Sequence, residues 1–188
     1  MIGSHNSMTY LSPKNLWGMI TIPWSRCQSM TLQEQYDAGV RFFDIRVCKI
    51  KGVWHYVHNK VDYGKADLQA LTDFFKSHAD TYLRIIYDLR SAPADAKERK
   101  ESFYKEVVYP ILTNAWVRMT YITFWDWEVK YTHSSSVVEM EYHASVSAKW
   151  YQYILGTKWF ARHYNQKIKE LYADTVKSED MAVLMDFV

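Results

Sequence analysis

The chain has 188 residues, 48% hydrophobic and 23% charged, which is enough to bury one sizeable core and too few for two full domains. Its 23 Lys and Arg against 21 Asp and Glu leave a formal net charge of +2, too balanced for the footprint of a nucleic-acid binder. Aromatic residues make up 16%, with 15 Tyr, 8 Trp and only 6 Gly and 4 Pro, which excludes a disordered or collagen-like chain.

No apolar run approaches the roughly 20 residues that span a bilayer, so any membrane contact is expected to be peripheral. Residues 1–8 lack the basic start and apolar stretch of a signal peptide, and the compartment is left open. Cys27 and Cys48 have no neighbouring His at a zinc-finger spacing and are expected to be free thiols.

Along the chain, residues 32–38 predict a short helix ended by Gly39. Residues 40–47 alternate, with Phe43, Ile45 and Val47 on one side and Phe42, Asp44 and Arg46 on the other, which predicts a strand with one charged face. Residues 53–58 predict a second strand. Leu68, Leu71, Phe74 and Phe75 recur at helical spacing within 66–78, and residues 82–89 return to a strand pattern. Residues 95–113 read as helical, with Pro110 expected to bend or end the helix, and 118–124 follow as a strand. A weaker strand is expected at 137–142, an amphipathic helix at 157–175 and an apolar closing strand at 181–188; residues 91–96 and 134–136 look like loops. About seven strands alternating with helices predict a mainly parallel sheet, an α/β fold closer to a distorted or incomplete barrel than to a doubly wound sheet. No GxGxxG follows a strand and no P-loop occurs, which argues against dinucleotide and nucleotide-triphosphate folds.

Two charges on a strand this apolar need an explanation, because burying each costs several kcal/mol unless it is paired or used. A structural ion pair supplies one. An arginine fork gripping phosphate oxygens two at a time supplies another. His5 lies in Gly3-Ser4-His5-Asn6-Ser7, a setting that suits a strand end running into a loop, and His58 follows a strand and precedes Asn59-Lys60. Two imidazoles can divide general base and general acid work near neutral pH. The histidines at 55, 78, 133, 143 and 163 are expected to be structural or surface groups, and none forms an HExxH pair. Trp125 and Trp127, in Phe-Trp-Asp-Trp, suit a membrane-facing rim or, more simply, core packing after a strand.

The sequence GSHNS, a Gln-bearing helix with Gln33 and Gln35, GVRFFDIRV, and a histidine about a dozen residues later together resemble the X-domain of phosphatidylinositol-specific phospholipases C in its bacterial, metal-independent form. The resemblance covers residues 3–90 in order and reappears at the last strand. It implies one catalytic domain over 1–188, an irregular, small or incomplete TIM (β/α) barrel with its site at the C-terminal strand ends. It further implies His5 as the base for the inositol 2-hydroxyl and His58 as the group assisting protonation of the departing diacylglycerol oxygen. On the same resemblance Asp44 and Arg46, which form the charged strand face, belong to the catalytic set, Arg46 being expected to stabilise the phosphoryl oxygens and Asp186 to hold His5 in its working tautomer. Asn6, Arg90 and Tyr142 are implied as substrate-binding residues. Animal members hold calcium with carboxylates; here Arg46 and Arg90 stand at such positions, so no metal or other cofactor is expected. The implied partner is an inositol phospholipid at a membrane surface.

Two departures matter. The bacterial motif usually carries Asp where this chain has Asn6, and an amide has no labile proton to donate. The chain is also shorter than the about 250 residues of a full barrel and begins inside the first motif, as a minimal or a start-truncated version would. Two alternatives follow: an inositol-lipid or glycan binding module with weakened catalysis, favoured by Asn6 and the short length, and a metal-dependent glycerophosphodiester phosphodiesterase. The missing Glu-x-Asp pair on the charged strand counts against the latter.

Overall fold

The computed structural model describes residues 1–89, 93–125, 130–132, 140–143, 155–177 and 181–188, with the backbone alone at 130–132, 140–143 and 175. Its strands are β1 (Ile2–Ser4), β2 (Val40–Ile50), β3 (Val53–His58), β4 (Val61–Lys65), β5 (Tyr82–Tyr87), β6 (Arg118–Thr123), β7 (Lys130–Thr132), β8 (Met140–His143) and β9 (Met181–Met185). Its helices are α1 (Leu16–Ser25), α2 (Leu32–Asp37), α3 (Leu68–Ser77), α4 (Ala96–Phe103), α5 (Tyr109–Ala115), α6 (Thr157–Leu171) and α7 (Ala173–Lys177), with a π-helical turn at Tyr104–Val108.

One sheet runs in the order β7-β6-β5-β2-β1-β9-β8, and β3 and β4 extend it as an antiparallel hairpin on β2. From β6 to β8 every pairing is parallel, while β7 runs antiparallel on β6. Among the described residues β7 and β8 do not pair, so the sheet stays open. This is an irregular, incomplete (β/α) barrel, as the alternation of elements predicts.

The nine strands among the described residues exceed the seven expected, and the difference lies in short pieces. The first is β1, three residues at the very start of the chain, where almost no strand was expected. It is nevertheless central, paired with β2 on one side and β9 on the other. Gly3 permits the close approach: a Cβ there would sit 2.6 Å from Leu184 Cδ2 and 3.3 Å from the Val183 carbonyl oxygen.

β2 is buried on both faces through Phe42–Ile45, and Phe43 meets Phe74 and Phe75 of α3 at ring separations of 5.4 and 5.7 Å. Asp67 caps α3 at the Ala70 N–H, 2.9 Å away. Thr31 and Glu34 form a capping box that starts α2. The helix expected to bend or end at Pro110 continues past it to Ala115. A π-helical turn precedes it and brings Pro110 into the first turn of α5, a position where proline is tolerated. Helix α6 lays Ile168 against Val183 and Met185 of β9.

Candidate active site

The carboxyl ends of β1, β2, β5 and β9 deliver the site. His5 follows β1 directly, and its backbone N–H donates to the Met185 carbonyl oxygen at the end of β9, 3.0 Å away. Asn6 takes φ +46°, a left-handed conformation that Asn tolerates better than most residues. This turn is fixed from several sides. Asn6 N–H donates to Asp44 Oδ2 (3.1 Å) and Ser7 N–H to the Asp44 carbonyl oxygen (2.7 Å). Gln28 Nε2 donates to the carbonyls of His5 (3.1 Å) and Met185 (2.8 Å), and Gln35 Nε2 donates to that of Ser7 (2.9 Å). Both glutamines are fully buried.

Asp186, just past β9, lies with Oδ1 2.8 Å from His5 Nδ1. A carboxylate there holds the ring proton on Nδ1 and leaves Nε2 with its lone pair. Two donors face that lone pair: Arg46 Nη2 and Asn6 Nδ2, each 3.0 Å from Nε2. The Asn6 Oδ1 is buried with no hydrogen-bond partner. The ring of His58 stands 5.9 Å from that of His5, edge to face. His58 Nδ1–H donates to the Ser25 carbonyl oxygen (2.8 Å), so in the neutral ring Nε2 is the free nitrogen. Burial lowers the His58 pKa to about 4, with His5 and Arg46 adding to the effect and the Ser25 carbonyl opposing it.

Asp44 has no exposed surface. Arg84 Nε donates to its Oδ1 (3.0 Å), and Arg46 Nη2 lies 3.4 Å from its Oδ2. Burial alone would push this carboxyl up, but the two guanidiniums, with His5, hold it well below the usual carboxylate range. The first explanation of the charged strand therefore applies: Asp44 is paired, and Arg46 reaches from that pair to His5.

The structure brings His5, Asn6, Asp44, Arg46, His58 and Asp186 together. Arg90 and Trp127 and the side chain of Tyr142 lie outside the described residues, as do the expected loop at 134–136 and His133. Trp125 packs on Tyr87 at 5.1 Å, in keeping with the core reading. His55 pairs with Asp62 in the β3–β4 hairpin (2.8 Å), and His78 and His163 bond carbonyls within their own helices. Cys27 and Cys48 are free thiols.

Sequence reasoning missed Arg84, Gln28, Cys27 and Asp88. Arg84 had a signal, as the one charge in the run Tyr-Leu-Arg-Ile-Ile-Tyr, and it lies in register with Asp44 across β2 and β5. Asp88 accepts from Asn59 N–H (2.9 Å) and so captures the left-handed residue that follows His58. A cleft of about 300 Å³ opens beside His58, walled by Trp17, Trp24, Asn59 and Lys60.

The fold that carries these residues coincides with that of known proteins. A phosphatidylinositol-specific phospholipase C from Listeria monocytogenes superposes with a TM-score of 0.63 over 99% of this chain and 87% of that one, at 13% identity. One from Staphylococcus aureus gives 0.59 over 99% and 85%, at 12% identity. Those likenesses are of fold. In sequence, a PI-PLC X-box domain-containing protein of Dictyostelium discoideum is 32% identical over 95 residues, 45% of this chain. The chain shares the fold of the phosphatidylinositol-specific phospholipases C and, over 45% of its length, is similar in sequence to an X-box domain protein. The match spans 13% of the Dictyostelium protein's length, and no family model matches this chain. Within the X-domain fold, the described groups cluster at the carboxyl ends of the parallel strands, where barrel enzymes carry their chemistry.

Proposed function

We propose that residues 1–188 form one catalytic domain that cleaves phosphatidylinositol or a related inositol phospholipid by a metal-independent phosphodiesterase reaction. The observation that carries this reading is the line Asp186–His5–Arg46, with contacts of 2.8 and 3.0 Å on opposite nitrogens of one imidazole, and a second imidazole 5.9 Å away. His5 Nε2 takes the proton of the inositol 2-hydroxyl, which displaces Asn6 or Arg46 from the lone pair. The freed oxygen attacks the adjacent phosphorus within the same molecule. Arg46, steadied by Asp44, turns its guanidinium to the phosphoryl oxygens as their charge builds. The diacylglycerol oxygen leaves with a proton from His58 Nε2, giving a cyclic inositol phosphate. His58 is neutral in the empty site, and the negative phosphodiester favours its protonated form on arrival.

The surface around the site supports a lipid substrate. Leu16, Trp17, Met19, Ile20 and Trp24 of α1 are 49–73% exposed, and two of them, Trp17 and Trp24, wall the cleft beside His58. Such a face suits the membrane interface, with no need to span it: no described helix is long and apolar enough to cross a membrane.

The test is to incubate the protein with phosphatidylinositol vesicles with and without a chelator. A cyclic inositol phosphate in both samples is expected. No product, or product lost with the metal, would sink the reading. Against the glycerophosphodiesterase alternative, both Asp44 oxygens already serve Arg84 and Arg46, where a hard cation needs free carboxylates. A binding module is the second reading, favoured by Asn6 and by the neutral His58. Vesicle binding that survives His5→Ala and His58→Ala, in a protein without turnover, would select it.

A further inference from the structure

We propose that Cys27, His5 and Asp186 form a site for a thiophilic divalent cation of the Zn²⁺ class, and that filling it silences His5. The site stands on its own geometry; only its inhibitory effect rests on the reading above.

The Cys27 Sγ, a ring nitrogen of His5 and a carboxylate oxygen of Asp186 all lie within 4.8 Å of one another. Cys27 and His5 are buried, and the Asp186 side chain, 28% exposed, opens the way in. One sulfur, one nitrogen and one oxygen, with a fourth position left to water, make a donor set of the tetrahedral zinc kind. A thiolate in the set disfavours Ca²⁺ and Mg²⁺, which take oxygen ligands.

Asn6 is the second, independent sign. Its amide packs on the same groups, with Nδ2 3.0 Å from His5 Nε2 and 3.9 Å from Cys27 Sγ, while its Oδ1 is buried without a partner. The Arg46 guanidinium, 3.0 Å from Nε2, repels a cation from that side of the ring, so coordination falls to Nδ1, where Asp186 already sits. A neutral imidazole bound through Nδ1 carries its proton on Nε2. The ring proton thus moves from Nδ1 to Nε2, and the thiol proton of Cys27 passes to solvent. Nε2 then has no lone pair with which to take a hydroxyl proton. Rotation of the Asn6 amide turns its unpartnered Oδ1 toward the new Nε2–H and supplies the donor that this oxygen lacks.

The experiment uses the whole chain, stripped with a chelator that is then removed, and Cd²⁺ as a spectroscopic stand-in whose bond to a thiolate gives an ultraviolet charge-transfer band. The band should saturate at one equivalent, disappear on adding Zn²⁺ and persist with Ca²⁺ or Mg²⁺. Cys27→Ser should abolish it, Asp186→Asn should weaken Cd²⁺ affinity roughly 10-fold or more, and Cys48→Ser should change nothing. The Asp186 variant, at a partly exposed position, keeps the test open if Cys27→Ser does not fold. Absence of the band from the native chain, or a band lost in Cys48→Ser instead, would overturn the site. In the turnover assay, saturating Zn²⁺ should lower the rate of the native protein at least about 10-fold. A site that binds without slowing turnover overturns the inhibitory effect alone, and a protein without turnover leaves the binding result standing.

Discussion

At the residue scale, Asp186 decides which nitrogen of His5 is the base. Its carboxylate accepts from Nδ1–H at 2.8 Å; an amide can instead turn its own N–H to the ring and favour the tautomer with the proton on Nε2. Asp186→Asn is therefore expected to lower kcat on phosphatidylinositol by about 10²–10⁴-fold with little change in KM, as loss of acid–base function does. Equal kcat values in steady-state assays would remove Asp186 from the site. His58 carries a second prediction. Its pKa of about 4 makes it protonated below that pH and neutral above it in the free protein. The profile of kcat/KM against pH should then bend downward above about pH 4, that bend should lie higher in kcat because the bound phosphodiester favours the proton, and His58→Gln should abolish it.

The residues that face the pocket were legible in the sequence, because a charge on an apolar strand or a histidine at a strand end stands out against its neighbours. Those that hold them were not. Gln28 looks like an ordinary surface amide in sequence and Gln35 stands out only through the motif it belongs to; the chain's return past β1 and β9 turns both into buried donors to the His5 turn.

At the element scale, the strand and helix periods of β2, β3, α3, β5, β6 and β9 were strong enough to read, since each buries one or both faces. Helix α1 was not. Its run Leu-Trp-Gly-Met-Ile-Thr-Ile-Pro-Trp-Ser is apolar nearly all round and gives no stripe, yet Asn15 starts it by accepting from Gly18 N–H at 3.1 Å. Its exposed apolar face also corrects the choice of surface: Trp125, the rim candidate within the described residues, packs on the core, and α1 takes the outward position. Leu16 and Ile20, 73% and 62% exposed, stand clear of the cleft beside His58. Replacing both by Ser should weaken sedimentation with phosphatidylinositol vesicles by roughly 10-fold or more, given the 1.5–3 kcal/mol that burying such a side chain is worth. Unaltered vesicle binding would mean that α1 does not meet the lipid.

At the scale of the whole molecule, β1 and β9 bring the two ends of the chain side by side, and the site's charges are held by the central strands of the sheet. The parallel alternation was legible, but the topology that makes three N-terminal residues central was not, because so short a strand has no period. Holding these charges ties stability to pH. The ordinary His pKa is 6.5 and that of His58 in the folded protein is about 4, so between these values the unfolded chain binds a proton that the native one refuses. Stability from this group is complete above pH 6.5 and falls as the pH drops, by roughly 3 kcal/mol at pH 4, with no further loss once the native ring also protonates. The window of Asp44 lies lower. Its folded pKa is depressed below the ordinary 3.8, so its contribution is present above that value and lost as the pH falls beneath it. Urea unfolding followed from pH 7 to pH 3 should therefore show two successive losses, and His58→Gln should flatten the upper one while leaving the lower in place. An upper loss of the same size in that variant would assign it to another group and remove the argument for a neutral His58.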